Sequence, residues 1–587
     1  MASSAAMTTS HPTHRWRFPE TPRLEPGFLA DGARRGLSER TLHILAARGH
    51  AAPGDLAAFF DPPAATLHDP GLLPDAAAVR ARIARALDAA ERVLVFGDFD
   101  ADGLTGLAIM VIALRALGLD TAPYVPDRRA EGHGLSLAAV QRARAEGRTL
   151  IVTVDTGTTN VAEIAAAGVA GIDVIVTDHH HVPARLPDAV AVVNLHRPGS
   201  LYPDPRLAGT GVAFKVAQLL LADRPGGAAA ALALADLATI GTVADVAPMV
   251  GENRAIARLG LELLRSAPRP GLAALLAAAK VAPESVDLDT IGYAIAPRLN
   301  AGGRVGDAET AAHLLLAATV AEAEPLAAEL ETANRTRREM TATALAEART
   351  IADRDPAAAA VVIAGDWPVG IIGLVAGRLA EERGRPAVVV SSGVDPWRGS
   401  ARSAGGFDLA AAFDACADDF ERHGGHPQAA GCNLLDGRFD AFRGRFLRLA
   451  AEAAPADPRP QLRLDLAVLA GDVDYRLHGD LQALEPTGPG NPRPLVGVAG
   501  MTVARARAAN GGHAQLTLRK GREVIDGIAF DRGDLVGLLA EGDVIDLVAH
   551  LVSRTFGGYE TLQLEIVDTA PEGTLERARA AGATVPA

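Results

Sequence analysis

Five short apolar runs, at about residues 93–96, 121–125, 150–154, 174–177 and 191–193, alternate with Ala-rich helical stretches. The runs do not alternate apolar with polar positions, so they predict strands buried on both faces of a parallel sheet, joined by helical crossovers. A helical lead-in at about 37–60 precedes them, and a helix carrying residues 235–243 leads to Asp245. The pattern then becomes one long helix over 326–353, followed by a second α/β unit with strands at 359–364 and 387–390. From about residue 460 the texture changes to strand-length runs at 461–465, 495–505, 513–519, 525–530, 544–552 and 561–567, separated by Gly and Asp turns. Five or six such strands predict a small barrel of the OB type, a platform for single-stranded nucleic acid. No internal repeat of solenoid period is present.

The chain of 587 residues has room for three or four domains, and its 49% hydrophobic and 22% charged composition is that of an ordinary globular protein. The net charge of −14 alone argues against a nucleic-acid partner. A metal-dependent nuclease escapes that argument, because its acidic site attracts cations while its basic groups gather in one groove. Two cysteines, Cys416 and Cys432, form neither a metal pattern nor a disulfide framework, which together with the lack of a signal peptide predicts a cytoplasmic protein. No transmembrane-length apolar run or basic amphipathic anchor predicts a membrane partner. Residues 1 to about 22 read as a disordered or loosely docked extension.

Three of the predicted strands end in acids. The first runs into Gly97-Asp98-Phe99-Asp100-Ala101-Asp102-Gly103, the third stops at Asp155, and the fourth stops at Asp178-His179-His180. Ligands of open parallel sheets bind beyond the carboxyl ends of the strands, so these side chains converge on one edge. Each aspartate alone is as readily a turn residue or a helix cap. Together they repel one another unless a cation is present. Carboxylates with imidazole suit Mn²⁺ or Mg²⁺, and this many acids call for two ions. Such a pair orients a phosphate, lowers the pKa of water and stabilises a leaving oxygen.

The segment Gly97 to Gly106, the runs Val154-Asp155-Thr156-Gly157 and Thr177-Asp178-His179-His180, and Thr242-Val243-Ala244-Asp245-Val246-Ala247-Pro248 resemble the four motifs of the DHH phosphoesterase superfamily. Within it the chain is similar to the RecJ family of bacterial single-strand-specific 5′→3′ exonucleases. The resemblance implies Asp100, Asp102, Asp155, His179 and Asp245 as metal ligands, with Asp98 as a further one and Asp155 bridging the ions. It implies that His180 contacts the scissile phosphate and that Asp178 orients a histidine. Asp155, His179 and His180 are the implied catalytic set. Segments at 126–135, 298–304, 399–403 and 424–431 resemble the family's substrate-contacting loops, which implies Arg128, Arg298, Asn300, Arg304, Ser400, Arg402 and His426 as substrate-binding residues. Arg129 reads as a solvated charge, and the cluster Arg335–Arg338 as a solvated helix face, with DNA tracking as the minority reading. Two positions depart from the family: Pro368 stands where histidine is frequent, and His133 where tyrosine is.

The expected architecture is α/β multidomain. It comprises an extension (1–36), a parallel-sheet DHH domain (37–320), a connecting helix (321–356), a DHH-associated α/β domain (357–456), an OB-like β-barrel (457–570) and a tail (571–587). The first two globular domains are expected to face each other across a cleft too narrow for a duplex. The implied function is 5′→3′ exonuclease action on single-stranded DNA, releasing 5′-mononucleotides in recombination and repair, with single-strand-binding protein and a RecQ-type helicase as possible partners. Two alternatives stand beside it: a DHH phosphodiesterase acting on short oligonucleotides or cyclic dinucleotides, and a non-catalytic DNA-binding scaffold.

Overall fold

The structure is a computed structural model that describes residues 12–19, 23–52, 54–128, 130–454, 457, 459–556 and 559–582. Arg129 and most of the expected disordered extension lie outside these residues. The chain divides into two compact units, one formed by residues 61–456 and the other by residues 1–60 together with 457–587.

The larger unit begins with the predicted parallel sheet. Strands β1 (Arg92–Gly97), β2 (Asp120–Tyr124), β3 (Leu150–Val154), β4 (Asp173–Asp178) and β5 (Ala191–Asn194) lie in the order β2-β1-β3-β4-β5, every pairing parallel. Alternate residues feed two separate cores. Val93, Val95, Val152 and Val154 pack on one face, whereas Leu94, Phe96, Ile151 and Val176 pack on the other. Burial on both faces explains the unbroken apolar runs. Helices α1 (Ala101–Leu117), α2 (Gly209–Leu221) and α3 (Ala235–Ala244) belong to the first core. The stretch Gly227–Ala244, which ends in α3, is long and apolar enough to cross a membrane, but 61% of it is buried inside the protein.

Helix α4 (Ala296–Val305) packs beside α5 (Val320–Ala352), the predicted connecting helix. Beyond it lies the second sheet, built of β6 (Val361–Gly365), β7 (Ala387–Ser391), β8 (Arg398–Arg402), β9 (Phe420–His426) and β10 (Ala429–Leu434), with α6 (Val369–Arg383) packed on it. Its order is β9-β10-β8-β7-β6, parallel only between β6 and β7. Residues 424–431, read from sequence as a Gly-rich end, are the tip of the β9–β10 hairpin.

In the smaller unit, strands Val496–Ala509, His513–Lys520, Glu523–Ala529, Tyr559–Pro571 and Val544–Phe556 pair in that order, and the last pairs back onto the first to close a five-stranded barrel. Gln461–Arg463 is not a barrel strand. It pairs in parallel with Arg15–Arg17, so this part of the expected loose extension is ordered, with Trp16 buried and its indole N–H donating to Asp568 (2.9 Å). The lead-in at 37–60, expected at the head of the phosphoesterase domain, packs instead on this unit. Leu42, Ile44, Leu45 and Phe59 share a core with Leu477, Val498 and Leu547. The expected tail at 571–587 starts with a helix, Thr574–Gly582, seated by buried Leu575, whose N–H donates to Asp546 (2.9 Å).

Helix α2 is fixed by a fully buried ion pair. Lys215 Nζ lies 2.9 Å from Glu252 Oε1 and donates to the His68 carbonyl (2.6 Å), while the Tyr202 hydroxyl donates to Glu252 Oε2 (2.6 Å). Removing one member of such a pair strands the other charge, at a cost of about 3–5 kcal/mol. Lys215→Ala is therefore expected to lower the urea midpoint of the larger unit by an amount equivalent to about 3–5 kcal/mol. Lys215→Met combined with Glu252→Gln should lose clearly less. Equal losses would mean that packing, not the stranded carboxylate, sets the cost.

Candidate metal centre

The carboxyl ends of β1, β3 and β4 bring the predicted aspartates and histidines together. Asp98 follows β1. Asp100 caps helix α1, its Oδ1 accepting from the N–H groups of Asp102 (3.0 Å) and Gly103 (3.2 Å). Asp102 points the other way, into the N-terminus of α2, where Gly209 and Thr210 N–H groups each donate to it at 2.8 Å. Such backbone donors favour a carboxylate at a helix start. Gly209 is required there by closeness, since a Cβ on it would sit 2.5 Å from Asp155 Oδ1.

Asp155 stands in the left-handed region at φ 60°, and Val246, which follows Asp245, at φ 59°. A β-branched residue there is an outlier, and local strain of this kind costs roughly 1–3 kcal/mol where surrounding structure imposes it. Backbone bonds do so in both places: Asp155 N–H donates to Thr177 O (2.9 Å) beside the Thr156–Thr177 bridge, and Val246 and Ala247 N–H groups donate to carbonyls at the end of α3 (3.1 Å each).

Three overlapping groups result, each with its ligand atoms within 4.8 Å of one another: Asp98, Asp100 and Asp155; Asp102, His179 and Asp245; Asp155, His179 and His180. Asp155 is common to two of them. Its Oδ1 is buried and accepts no hydrogen bond among the described residues, although His179 Nε2 lies 3.1 Å away. A buried, unsatisfied carboxylate oxygen among other acids fits a cation. The hard oxygen donors with imidazole fit Mn²⁺ or Mg²⁺.

The electrostatics agree. Burial, then the charges of Asp98 and Asp102, raise Asp100 to about 6. Burial, then Asp102 and Asp100, raise Asp245 to about 8. Burial and four neighbouring aspartates push Asp155 well above its ordinary value. The two histidines diverge. Burial pushes His179 down, keeping it neutral and able to donate a lone pair. His180 Nδ1 donates to Asp178 (2.8 Å), which raises His180 to about 9 and leaves it an imidazolium suited to an anionic phosphate. Burial pushes Asp178 up, but its bonds from His180 and Thr158 hold it below the usual carboxylate range. Asp178 thus orients His180.

The basic residues divide. Arg128 stacks over the Phe99 ring (4.9 Å). Arg304 Nη1 donates to Gly370 O (3.0 Å), joining α4 to the start of α6, and a Cβ on Gly370 would sit 2.6 Å from Arg304 O. Arg402 Nη1 donates to Ser400 Oγ (3.2 Å). Burial, then the charges of Arg128, Arg337 and Arg402, lower Arg304 to about 10. His426 lies on β9 opposite Ala429, which pairs in turn with Arg402. Two expected substrate residues are engaged elsewhere. Arg298 Nε donates to Glu331 on α5 (2.5 Å), and Asn300 Oδ1 accepts the Ala101 N–H (2.7 Å), fixing the metal loop. Pro368 occupies the N-cap of α6. No local sequence signal marks the placement of His133, whose Nδ1 lies 3.2 Å from Asp98 Oδ2 and whose ring stands 4.5 Å from Phe99.

A parallel sheet that delivers this cluster to its carboxyl edge, with an arginine-bearing second sheet behind it, defines a phosphoesterase of the DHH type. The model of the DHH family, N-terminal domain, matches residues 92–242, that of the DHHA1 domain residues 355–452, and that of the RecJ OB domain residues 464–568. The chain is 36% identical to the single-stranded-DNA-specific exonuclease RecJ of Bacillus subtilis, over 90% of this chain and 67% of that one. It is 34% identical to the Escherichia coli protein of the same description, over 82% and 87% of the two chains. The crystal structure of RecJ in complex with Mn²⁺ from Thermus thermophilus superposes with a TM-score of 0.79 at 32% identity, covering 95% of this chain and 80% of that one. The chain belongs to the RecJ family.

Gly209→Ala is expected to weaken Mn²⁺ binding, measured by calorimetry, by more than tenfold without loss of secondary structure, because the added methyl displaces Asp155. Unchanged affinity would remove Asp155 from the ligand set. Proton linkage gives a second expectation. Asp100 and Asp245 lie above the ordinary 3.8 in the folded, metal-free protein. Their stabilisation is therefore full below about pH 4 and is lost as pH rises through 6 and 8. The metal-free protein should melt at falling temperature from pH 6 to 9, and Mn²⁺ at pH 8 should reverse the fall. A flat profile indifferent to Mn²⁺ would contradict the site.

Proposed function

We propose that this chain is a single-strand-specific DNA exonuclease. It enters at the 5′ end and releases 5′-mononucleotides by metal-dependent phosphodiester hydrolysis, in recombination and DNA repair. The observation that carries the reading is the buried cluster of Asp98, Asp100, Asp102, Asp155, His179 and Asp245, with its orphaned Asp155 oxygen, in a chain of the RecJ family. Two Mn²⁺ or Mg²⁺ ions, held by these six residues, would activate water and stabilise the leaving oxygen.

The protein's own groups do the rest. The N-terminus of α2 and the cap of α1 hold Asp102 and Asp100 in fixed orientations. His180, kept protonated by Asp178, offers a proton to the scissile phosphate. Arg128, Arg304, Ser400 and Arg402 bind the 5′-terminal nucleotide. The guanidinium forks suit phosphate oxygens, and their mutual repulsion without an anion favours binding one. His426 closes the same row of the second sheet. Arg298 and Asn300 act by fixing Glu331 and the metal loop. The barrel supports the single-strand reading: Arg505, Arg507 and Arg519 are exposed on adjacent strands, suited to tracking a phosphate backbone. A setting in the cytoplasm agrees with the free, buried Cys416 and Cys432. Cooperation with single-strand-binding protein and a RecQ-type helicase rests on the family alone.

With Mn²⁺ and 3′-labelled single-stranded DNA, the wild type should give a descending ladder, and Asp155→Ala none. Hydrolysis of a dinucleotide with no shortening of the long strand would move the assignment to the small-substrate phosphodiesterases.

A further inference from the structure

The long helix α5 turns one face toward α4. Glu331 marks it, because its carboxylate accepts from Arg298 Nε. Three residues on, Asn334 is 3% exposed and its Oδ1 has no hydrogen-bond partner; three further on, Arg337 Nε is buried and also has none among the described residues. Residues spaced by three share a helix face. The neighbouring Arg335 and Arg338 are exposed, so the solvated reading of this cluster holds for them and fails for Arg337. A guanidinium N–H withdrawn from water without an acceptor is costly unless a ligand supplies one. Glu331 does not supply it, being engaged by Arg298.

We propose that Arg337 is a further substrate-binding residue: together with Arg304, Arg128 and Arg402 it grips a phosphate of the bound strand. The ligand is a phosphate oxyanion, and the inference rests on the single-stranded-DNA reading above. Its supporting observation is charge. Arg304 lies within the fields of Arg128, Arg337 and Arg402, with Asp100 acting in the opposite sense, so like charges are gathered around it. Burial and the charges of Arg338 and Arg298 likewise push Arg337 down.

The test uses the full chain in EDTA and a 5′-phosphorylated oligothymidylate, with affinity measured across salt concentrations. Variants are Arg337→Met, which keeps the apolar stem, Arg337→Lys, which keeps the charge, and Arg335→Ala as the exposed control. Arg337→Met is expected to bind about tenfold more weakly at low salt, with a salt slope shallower by about 0.7, the value for one contact on a single strand. Arg337→Lys should keep the slope and Arg335→Ala should match wild type, all with unchanged melting temperature. In Mn²⁺, KM should rise in Arg337→Met while kcat holds. The proposal is overturned if Arg337→Met binds like wild type, if Arg335→Ala loses as much, or if the loss comes with a lowered melting temperature and the lysine does not restore it. No binding by wild type would sink the substrate assignment and this proposal with it.

Discussion

Carboxylates gathered at one sheet edge and withdrawn from water repel one another, and the rest of the site is arranged around that repulsion. Among the described residues nothing donates a hydrogen bond to the buried oxygen of Asp155. Its strained backbone is imposed by the pairing of Thr156 and Thr177. Helix α2 answers part of the charge with two N–H groups on Asp102, and the ion pair of Lys215 and Glu252 holds that helix in place. What the backbone does not neutralise is left for cations. Burial strengthens both the repulsion and the attraction to an ion, so the same low dielectric that destabilises the empty site makes the filled one tight.

A second imbalance of opposite sign lies beside the first. Arg128, Arg337 and Arg402 each bring positive charge to bear on Arg304. On the reading proposed above, an acidic cluster and a basic one, set within one unit, define a polarity for a bound phosphodiester, whose metal-facing and arginine-facing oxygens are set by the protein before the substrate arrives. Such preorganisation avoids rearrangement at the moment of reaction.

Much of this was legible because the chemistry sits where the pattern breaks. Asp98, Asp155 and Asp178 end unbroken apolar runs, so the sheet and its functional edge could be read together. The barrel was legible by strand number. Contacts set by distant segments were not. Nothing local says that Arg15–Arg17 pairs with Gln461–Arg463, or that the apolar face of Glu39–Ala47 fits the barrel unit. The diversion of Arg298 to Glu331, and the burial of Arg337 Nε between exposed arginines, depend on how α5 is rotated against α4. Helical periodicity gives the spacing of a face but not the neighbour it meets. Gly209 was invisible for a similar reason, since its need is set by Asp155 on another element.

The pairing of Arg15–Arg17 with Gln461–Arg463 makes the barrel unit discontinuous: residues 61–456 are inserted within it. A ribosome emits the first of these strands long before its partner. At the usual 5–20 residues per second the interval is roughly 20–90 s. During that time Trp16, Leu42, Ile44 and Phe59 have no core to enter, while the inserted unit can complete its own sheets. The order of synthesis thus favours a metal-binding unit folded first and a barrel unit sealed last, with the early apolar segment in need of protection until its partner appears.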